Sequence, residues 1–176
     1  MNTRTVMHDA DIARALTRIS HEILESNKGP EGLVLLGIPT RGVTLANRIA
    51  PMISEFGGAQ VPVGSLDVTM YRDDLHRNPT RAPRRTEIPA GGIDGKTVVL
   101  IDDVLFSGRS IRAALDALQD IGRPAAVRLA TLIDRGHREL PIRPDFVGKN
   151  LPSARDERVN VRLAEIDGVE EVTIES

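Results

Sequence analysis

Two adjacent carboxylates, Asp102 and Asp103, close an apolar run and are followed within a few residues by Ser107, Gly108 and Ser110, all inside the segment VVLIDDVLFSGRS, Val98 to Ser110. The run reads as a strand that delivers both carboxylates to its C-terminal end, and the residues from Arg109 onward read as a helix. Between the two lie backbone N–H groups without intrahelical acceptors, two hydroxyls and the positive end of a helix dipole. Such a point binds anions and suits a phosphate. Carboxylates accept hydrogen bonds from vicinal hydroxyls, so an acidic pair beside a phosphate cradle fits a sugar phosphate such as ribose 5-phosphate. Alone, the pair reads equally well as a solvated turn or a magnesium-binding acidic pair. A Walker A loop is not matched, because Gly108-Arg109-Ser110 lacks the lysine and the upstream glycine, and no G-x-G-x-x-G follows a predicted strand.

These residues need a scaffold. Asp9 can cap a helix running to about Asn27, with Ile12, Leu16, Ile19 and Ile23 as its buried stripe and Gly29-Pro30 ending it. Leu33 to Ile38 reads as a buried strand, Pro39 to Gly42 as a turn, and Val43 to Phe56 as an amphipathic helix that Pro51 can kink. Val61 to Met70 has strand character, Lys96 to Ile101 is a strand, and Arg109 to Ile121 is a helix with Ile111, Leu115 and Leu118 inward, ended by Gly122. Ala126 to Ile133 is another strand, and Val159 to Leu163 with Val169 to Ile174 suggests a late hairpin around Asp167-Gly168. Strands alternating with helices predict an α/β chain with a mostly parallel sheet, whose ligands bind beyond the C-terminal ends of the strands. Arg72 to Gly92 carries arginines and prolines but almost no apolar periodicity. A loop of that length in a compact domain calls for a function.

Composition narrows the classes. The 176 residues suffice for one domain, 1–176, with its own core. No stretch approaches the roughly 20 apolar residues of a membrane span. Neither a secretory leader nor any cysteine appears, so the cytoplasm is the expected location. A net charge of −2 argues against nucleic-acid binding by bulk positive charge and leaves room only for a local basic patch. One Tyr, three Phe and no Trp make base-stacking platforms improbable.

VVLIDDVLFSGRS resembles the phosphoribosyl-pyrophosphate signature of type I phosphoribosyltransferases. Further stretches, ALTRISHE, GIPTRGVTLA, YRDDL, LDALQDIGRPAAVRLATLIDRGHRELPIR and DFVGKNLP, resemble the PyrR family of pyrimidine operon regulators that are also uracil phosphoribosyltransferases. The string DRGHRELPIR is the most diagnostic of these. The resemblance implies a single-domain type I phosphoribosyltransferase-like fold: a mostly parallel central sheet flanked by helices, a small hood, and a flexible lid over about 72–92. It implies transfer of ribose 5-phosphate from phosphoribosyl pyrophosphate to uracil, giving UMP and pyrophosphate, with Mg2+ accompanying the substrate and no protein-built metal site.

Carried over by resemblance, Asp102 and Asp103 hold the ribose hydroxyls, and Val104, Leu105, Phe106, Ser107, Gly108, Arg109 and Ser110 the 5-phosphate. Thr40, Arg41 and Gly42 match the pyrophosphate loop, and Tyr71 and Arg72 open the lid. Asp102, Asp103, Arg41 and Arg72 are the expected catalytic group. In the lid, Arg77, Arg81, Arg84 and Arg85 either supply positive charge or are merely solvated. The pyrimidine is expected near Ile133 to His137 and Val159, with Arg135 in contact. No residue stands out as a general base.

The family also binds a leader segment of pyrimidine-gene mRNA when UMP is present. Arg14, Arg18 and His21 fall on one helix face with Thr17 beside them, and His137, Arg138, Arg143 and Lys149 form a second basic group. Joined in space, the two would make the local patch; the other reading is two ordinary charged faces. Ser26 stands where some relatives are basic, and Pro39 where a lysine is common. A plain salvage enzyme or a non-enzymatic nucleotide sensor are the alternative readings. A homodimer or larger homo-oligomer is expected.

Overall fold

The computed structural model describes residues 2–72 and 86–176, so Arg77, Arg81, Arg84 and Arg85 lie outside the described residues. Five parallel strands form the central sheet in the order β3-β2-β4-β5-β6: β2 Leu33–Gly37, β3 Val63–Ser65, β4 Thr97–Leu105, β5 Ala126–Asp134 and β6 Phe146–Asn150. Strand alternation splits the core. Leu33, Leu35, Val99 and Ile101 face helices α1 (Asp9–Asn27) and α2 (Arg41–Gly57), while Val34, Leu36, Val98 and Leu100 pack with Ile111, Ala114 and Leu118 of α3 (Arg109–Gln119). Sequence reasoning expected an α/β chain with a mostly parallel sheet, and this is its architecture.

A second, three-stranded antiparallel sheet, β1-β8-β7, forms the hood from β1 Thr3–Met7, β7 Arg158–Arg162 and β8 Glu171–Glu175. Between β7 and β8 the short helix α4, Ala164–Asp167, ends at Gly168. Met7, Val161, Leu163, Val172 and Ile174 join the core of α1 and α2, which seats the hood on that side of the central sheet.

Several boundaries differ from expectation. Helix α1 is capped by His8, whose N–H donates to Asp11 Oδ2 at 2.8 Å, and Asp9 lies one residue inside. The strand expected over Val61 to Met70 stops at Ser65, because Asp67 Oδ1 accepts from the Thr69 hydroxyl at 2.8 Å and folds the chain into a 3-10 turn, Thr69–Tyr71. Residues 86–92 do not remain free loop throughout: Glu87 bridges back to Ser65 beside β3. Strand β4 continues to Leu105, with Asp102 opposite Thr131 and Val104 opposite Ile133, so the acidic pair sits inside the strand's last residues. Strands β1 and β6 carried too few apolar residues to be recognised in the sequence. Helix α2 tolerates Pro51 in its interior. Among the described residues no helix is long and apolar enough to cross a membrane.

Candidate active site

The C-terminal ends of the parallel strands open into a cavity of about 200 Å³ lined by Arg72, by Asp102 and by the loop from Val104 into α3. Asp102, Asp103 and Val104 are half-buried. Asp102 Oδ1 accepts the Asp103 N–H at 2.9 Å, and Asp103 Oδ1 accepts the Val104 N–H at 2.8 Å. Each carboxylate is therefore fixed by backbone. Burial, then the neighbouring charge of Asp103, pushes the Asp102 carboxyl well above the usual carboxylate range, with Arg72 pulling weakly the other way.

The cradle follows at once. Gly108 has φ +94°, a conformation that favours glycine, and a Cβ there would stand a tight 3.1 Å from Ile142. Ser107 Oγ accepts the Arg109 N–H at 3.3 Å. The first helical bond of α3 runs from Arg112 N–H to Gly108 O, which leaves the Ser110 and Ile111 N–H groups ahead of the ladder. The loop is braced from behind. Glu139 and Leu140 donate their N–H groups to Ser107 O, and Arg138 donates to Phe106 O at 3.0 Å, Ile142 O at 2.7 Å and Asp134 Oδ2 at 2.7 Å. Burial works to raise the Asp134 carboxyl, but Arg138 and the Gly136 N–H together hold it below its ordinary value.

The turn before α2 meets the same edge. Ile38 N–H donates to Ile101 O at 2.9 Å, and the Pro39-Thr40 peptide is cis. A Cβ on Gly42 would come within 2.3 Å of Ile101 O, so this glycine lets the start of α2 press against β4 beside Asp102. Thr40 makes no side-chain bond to the helix it caps. Arg41 does not line the cavity: its guanidinium donates to Asp167 Oδ1 of the hood at 2.7 Å. Tyr71 is also apart, because its hydroxyl pairs with Asp120 beyond the C-terminal end of α3, about 16 Å along that helix from the cradle. Arg72, its neighbour, does reach the cavity.

Beyond β5, Arg135 is buried, and its Nε and Nη2 are engaged by the protein. It bonds Ser153 Oγ at 3.2 Å and Ala154 O at 2.7 Å, and lies 4.2 Å over the ring of Phe106. It therefore fixes Phe106 against the loop 153–155. His137 takes φ +68° and bonds Ser153 O. Val159 packs in the hood against the main core. Glu139 holds both Arg109 and Arg155 by ion pairs. Sequence reasoning gave no site role to Ser153, Glu139 or Asp167, whose partners are distant in the chain.

The two basic groups are partly merged. Arg14, Arg18 and Lys149 line one shallow groove of about 300 Å³. Arg18 also donates to Val147 O at 3.0 Å and Gly148 O at 2.6 Å, covering the exposed edge of β6. Thr17 bonds Ala13 O at 2.9 Å, and the His21 ring stacks on Phe56 at 4.0 Å. Of the residues expected in the second patch, Arg138 braces the cradle loop and His137 bonds Ser153 O. Arg143 is exposed on the loop before β6.

The family profile of the phosphoribosyl transferase domain matches residues 5–163. Bifunctional protein PyrR of Leifsonia xyli is 71% identical over 99% of this chain and 98% of its own length, and that of Streptomyces coelicolor 64% over 97% and 89%. The Mycobacterium tuberculosis protein of the same name is 57% identical over 98% and 93%. Among solved structures, the hypoxanthine phosphoribosyltransferase of Trypanosoma cruzi bound to IMP superposes with a TM-score of 0.73 at 14% identity, covering 98% of this chain and 93% of that one. The Staphylococcus aureus enzyme gives 0.70 at 20% identity, covering 96% and 90%. These likenesses establish a type I phosphoribosyltransferase fold.

Proposed function

The chain belongs to the phosphoribosyl transferase domain family and, within it, to the bifunctional PyrR proteins, and from that premise we propose that it transfers ribose 5-phosphate from phosphoribosyl pyrophosphate to uracil and regulates pyrimidine genes through leader mRNA. The observation that carries the enzymatic half is one crevice holding both halves of a ribose-phosphate site: Asp102, with Asp103 next to it in β4, and the α3 cradle, at the C-terminal edge of a parallel sheet.

The 5-phosphate meets the free N–H groups of Ser110 and Ile111, the hydroxyls of Ser107 and Ser110, and the dipole of α3. Asp103, its carboxylate fixed by the Val104 N–H, accepts from the ribose hydroxyls, and Asp102 beside it completes the pair. Departure of pyrophosphate leaves positive charge on the ribosyl carbon, which these carboxylates stabilise while Arg72 and the start of α2 receive the leaving group. Among the described residues no three metal-ligating side chains cluster. Mg2+ would be held by the substrate's phosphates and hydroxyls with Asp102 or Asp103, and would neutralise charge on the leaving group.

The groove of Arg14, Arg18 and Lys149 is the favoured RNA surface, supported by its basic lining. Cytoplasmic location and assembly into homodimers or larger homo-oligomers belong to the same reading. Incubation with uracil and phosphoribosyl pyrophosphate should release pyrophosphate and form UMP. Absence of release with uracil or any other nucleobase would leave a nucleotide sensor. Leader RNA should bind more tightly with UMP than without at one fixed salt concentration, and equal weak binding would reduce the protein to a salvage enzyme.

A further inference from the structure

Two arginines seven residues apart on α2 both end on the turn between β7 and β8. Arg48 pairs with Glu165 and Glu170, and Arg41 Nη2 donates to Asp167 Oδ1 at 2.7 Å. The other Asp167 oxygen, Oδ2, accepts the Leu163 N–H at 2.8 Å, so backbone sets the carboxylate's orientation before any ligand arrives. Burial acts to raise the Asp167 carboxyl, but the Leu163 N–H and Arg41 hold it below its ordinary value, and it stays charged at neutral pH. The Arg41 Nε is buried and without a partner among the described residues. A buried N–H lacking an acceptor is costly, and a phosphate oxygen is an acceptor of the right charge.

We infer that Asp167 is a positioning residue for Arg41: it takes one donor of the guanidinium and aims the remaining fork at pyrophosphate bound in the turn before α2. This rests on the proposal that Thr40, Arg41 and Gly42 form the pyrophosphate loop. An arginine already held at one nitrogen gives up less freedom when it meets phosphate. The hood thereby contributes to the subsite through Arg41.

The variant that tests this is Asp167→Asn in the full chain, which keeps the size of the side chain and the acceptor for Leu163 N–H while removing the charge. KM for phosphoribosyl pyrophosphate, and for pyrophosphate in the reverse reaction, should rise about fivefold, as should the Kd for pyrophosphate by calorimetry. KM for uracil and kcat should stay within about twofold, since Asp167 touches neither base nor reacting carbon. In an Arg41→Ala background the same change should do nothing further. Unchanged or tighter pyrophosphate binding in Asp167→Asn overturns the inference. So does an equal loss in the Arg41→Ala background, which would mean that Asp167 only supports the hood. Wild-type protein that releases no pyrophosphate would refute the enzymatic reading instead, with the calorimetric comparison still deciding the role of Asp167.

Discussion

The two acidic residues of the motif are adjacent in sequence but differ in environment. Asp102 is held well above the ordinary carboxylate range by burial and by its neighbour's charge. The native state then binds its proton more tightly than the unfolded chain does. Stability contributed by the protonated group is fully present below the ordinary carboxylate pKa and is lost as pH rises toward the native value. Asp102→Asn removes that slope while keeping an acceptor for the Asp103 N–H, so the variant should be more stable than wild type at pH 7 and equal to it in acid. Urea midpoints across this range check the claim, and parallel curves would contradict it. Asp103→Asn should lower kcat/KM roughly tenfold to hundredfold, the scale of one charge-assisted bond to a ribose hydroxyl. Near-normal kinetics would remove Asp103 from the ribose site. At this scale the sequence was most legible where donors, acceptors and backbone came from one continuous segment.

Between elements, charge and bracing hold the site in shape. Arg48 is fastened to Glu165 and Glu170, joining α2 to the hood, and both carboxyls lie below their ordinary values chiefly through their bonds to Arg48. A contribution of this kind is present above the unfolded carboxylate pKa and is lost as pH falls through the lowered native values. Arg48→Met should therefore cost about 1–2 kcal/mol at pH 7 and much less near pH 3, measured by urea denaturation at both. A pH-independent loss would point to packing of the side-chain stem. Arg138 ties Phe106, Ile142 and Asp134 together behind the cradle, so Arg138→Ala should raise KM for phosphoribosyl pyrophosphate at least several-fold rather than act on RNA alone. Titration of the substrate in both proteins tests this. Periodicity announced α1 and α2 because each buries a regular stripe, and continuous apolar runs announced β4 and β5 because both faces of these central strands are covered. Both signals failed for β1, an edge strand with little apolar content, and for β6, where Arg18 from α1 satisfies the exposed carbonyls. The short β3 was overread because the Asp67 side chain, not hydropathy, ends it.

For the whole molecule, the question is how a crevice at one edge of the sheet and a basic groove elsewhere serve one regulator. They share no lining residue, yet both contact the hood's neighbourhood: Val6 and Met7 of β1 line the groove, while Asp167 and Arg48's partners tie the hood to α2 beside the crevice. The hood is thus the element that touches both. Position along the chain gave no access to this, since Lys149 joins Arg14 and Arg18 only through the α1–β6 contact, while Arg138 is diverted to the cradle. Arg14 is exposed and its ion pair with Asp11 lies at the surface, where such pairs contribute little, so it can be removed without unfolding the chain. Lys149 is likewise exposed. Arg14→Ala combined with Lys149→Ala should leave uracil turnover unchanged and weaken leader RNA binding in the presence of UMP. Two lost phosphate contacts should also make the log–log salt dependence shallower by about 1.4 for single-stranded RNA. Filter binding across a salt series measures both quantities. An unaltered salt slope with normal turnover would move the RNA surface away from this groove, and a parallel loss of turnover would show that groove and crevice are not separable.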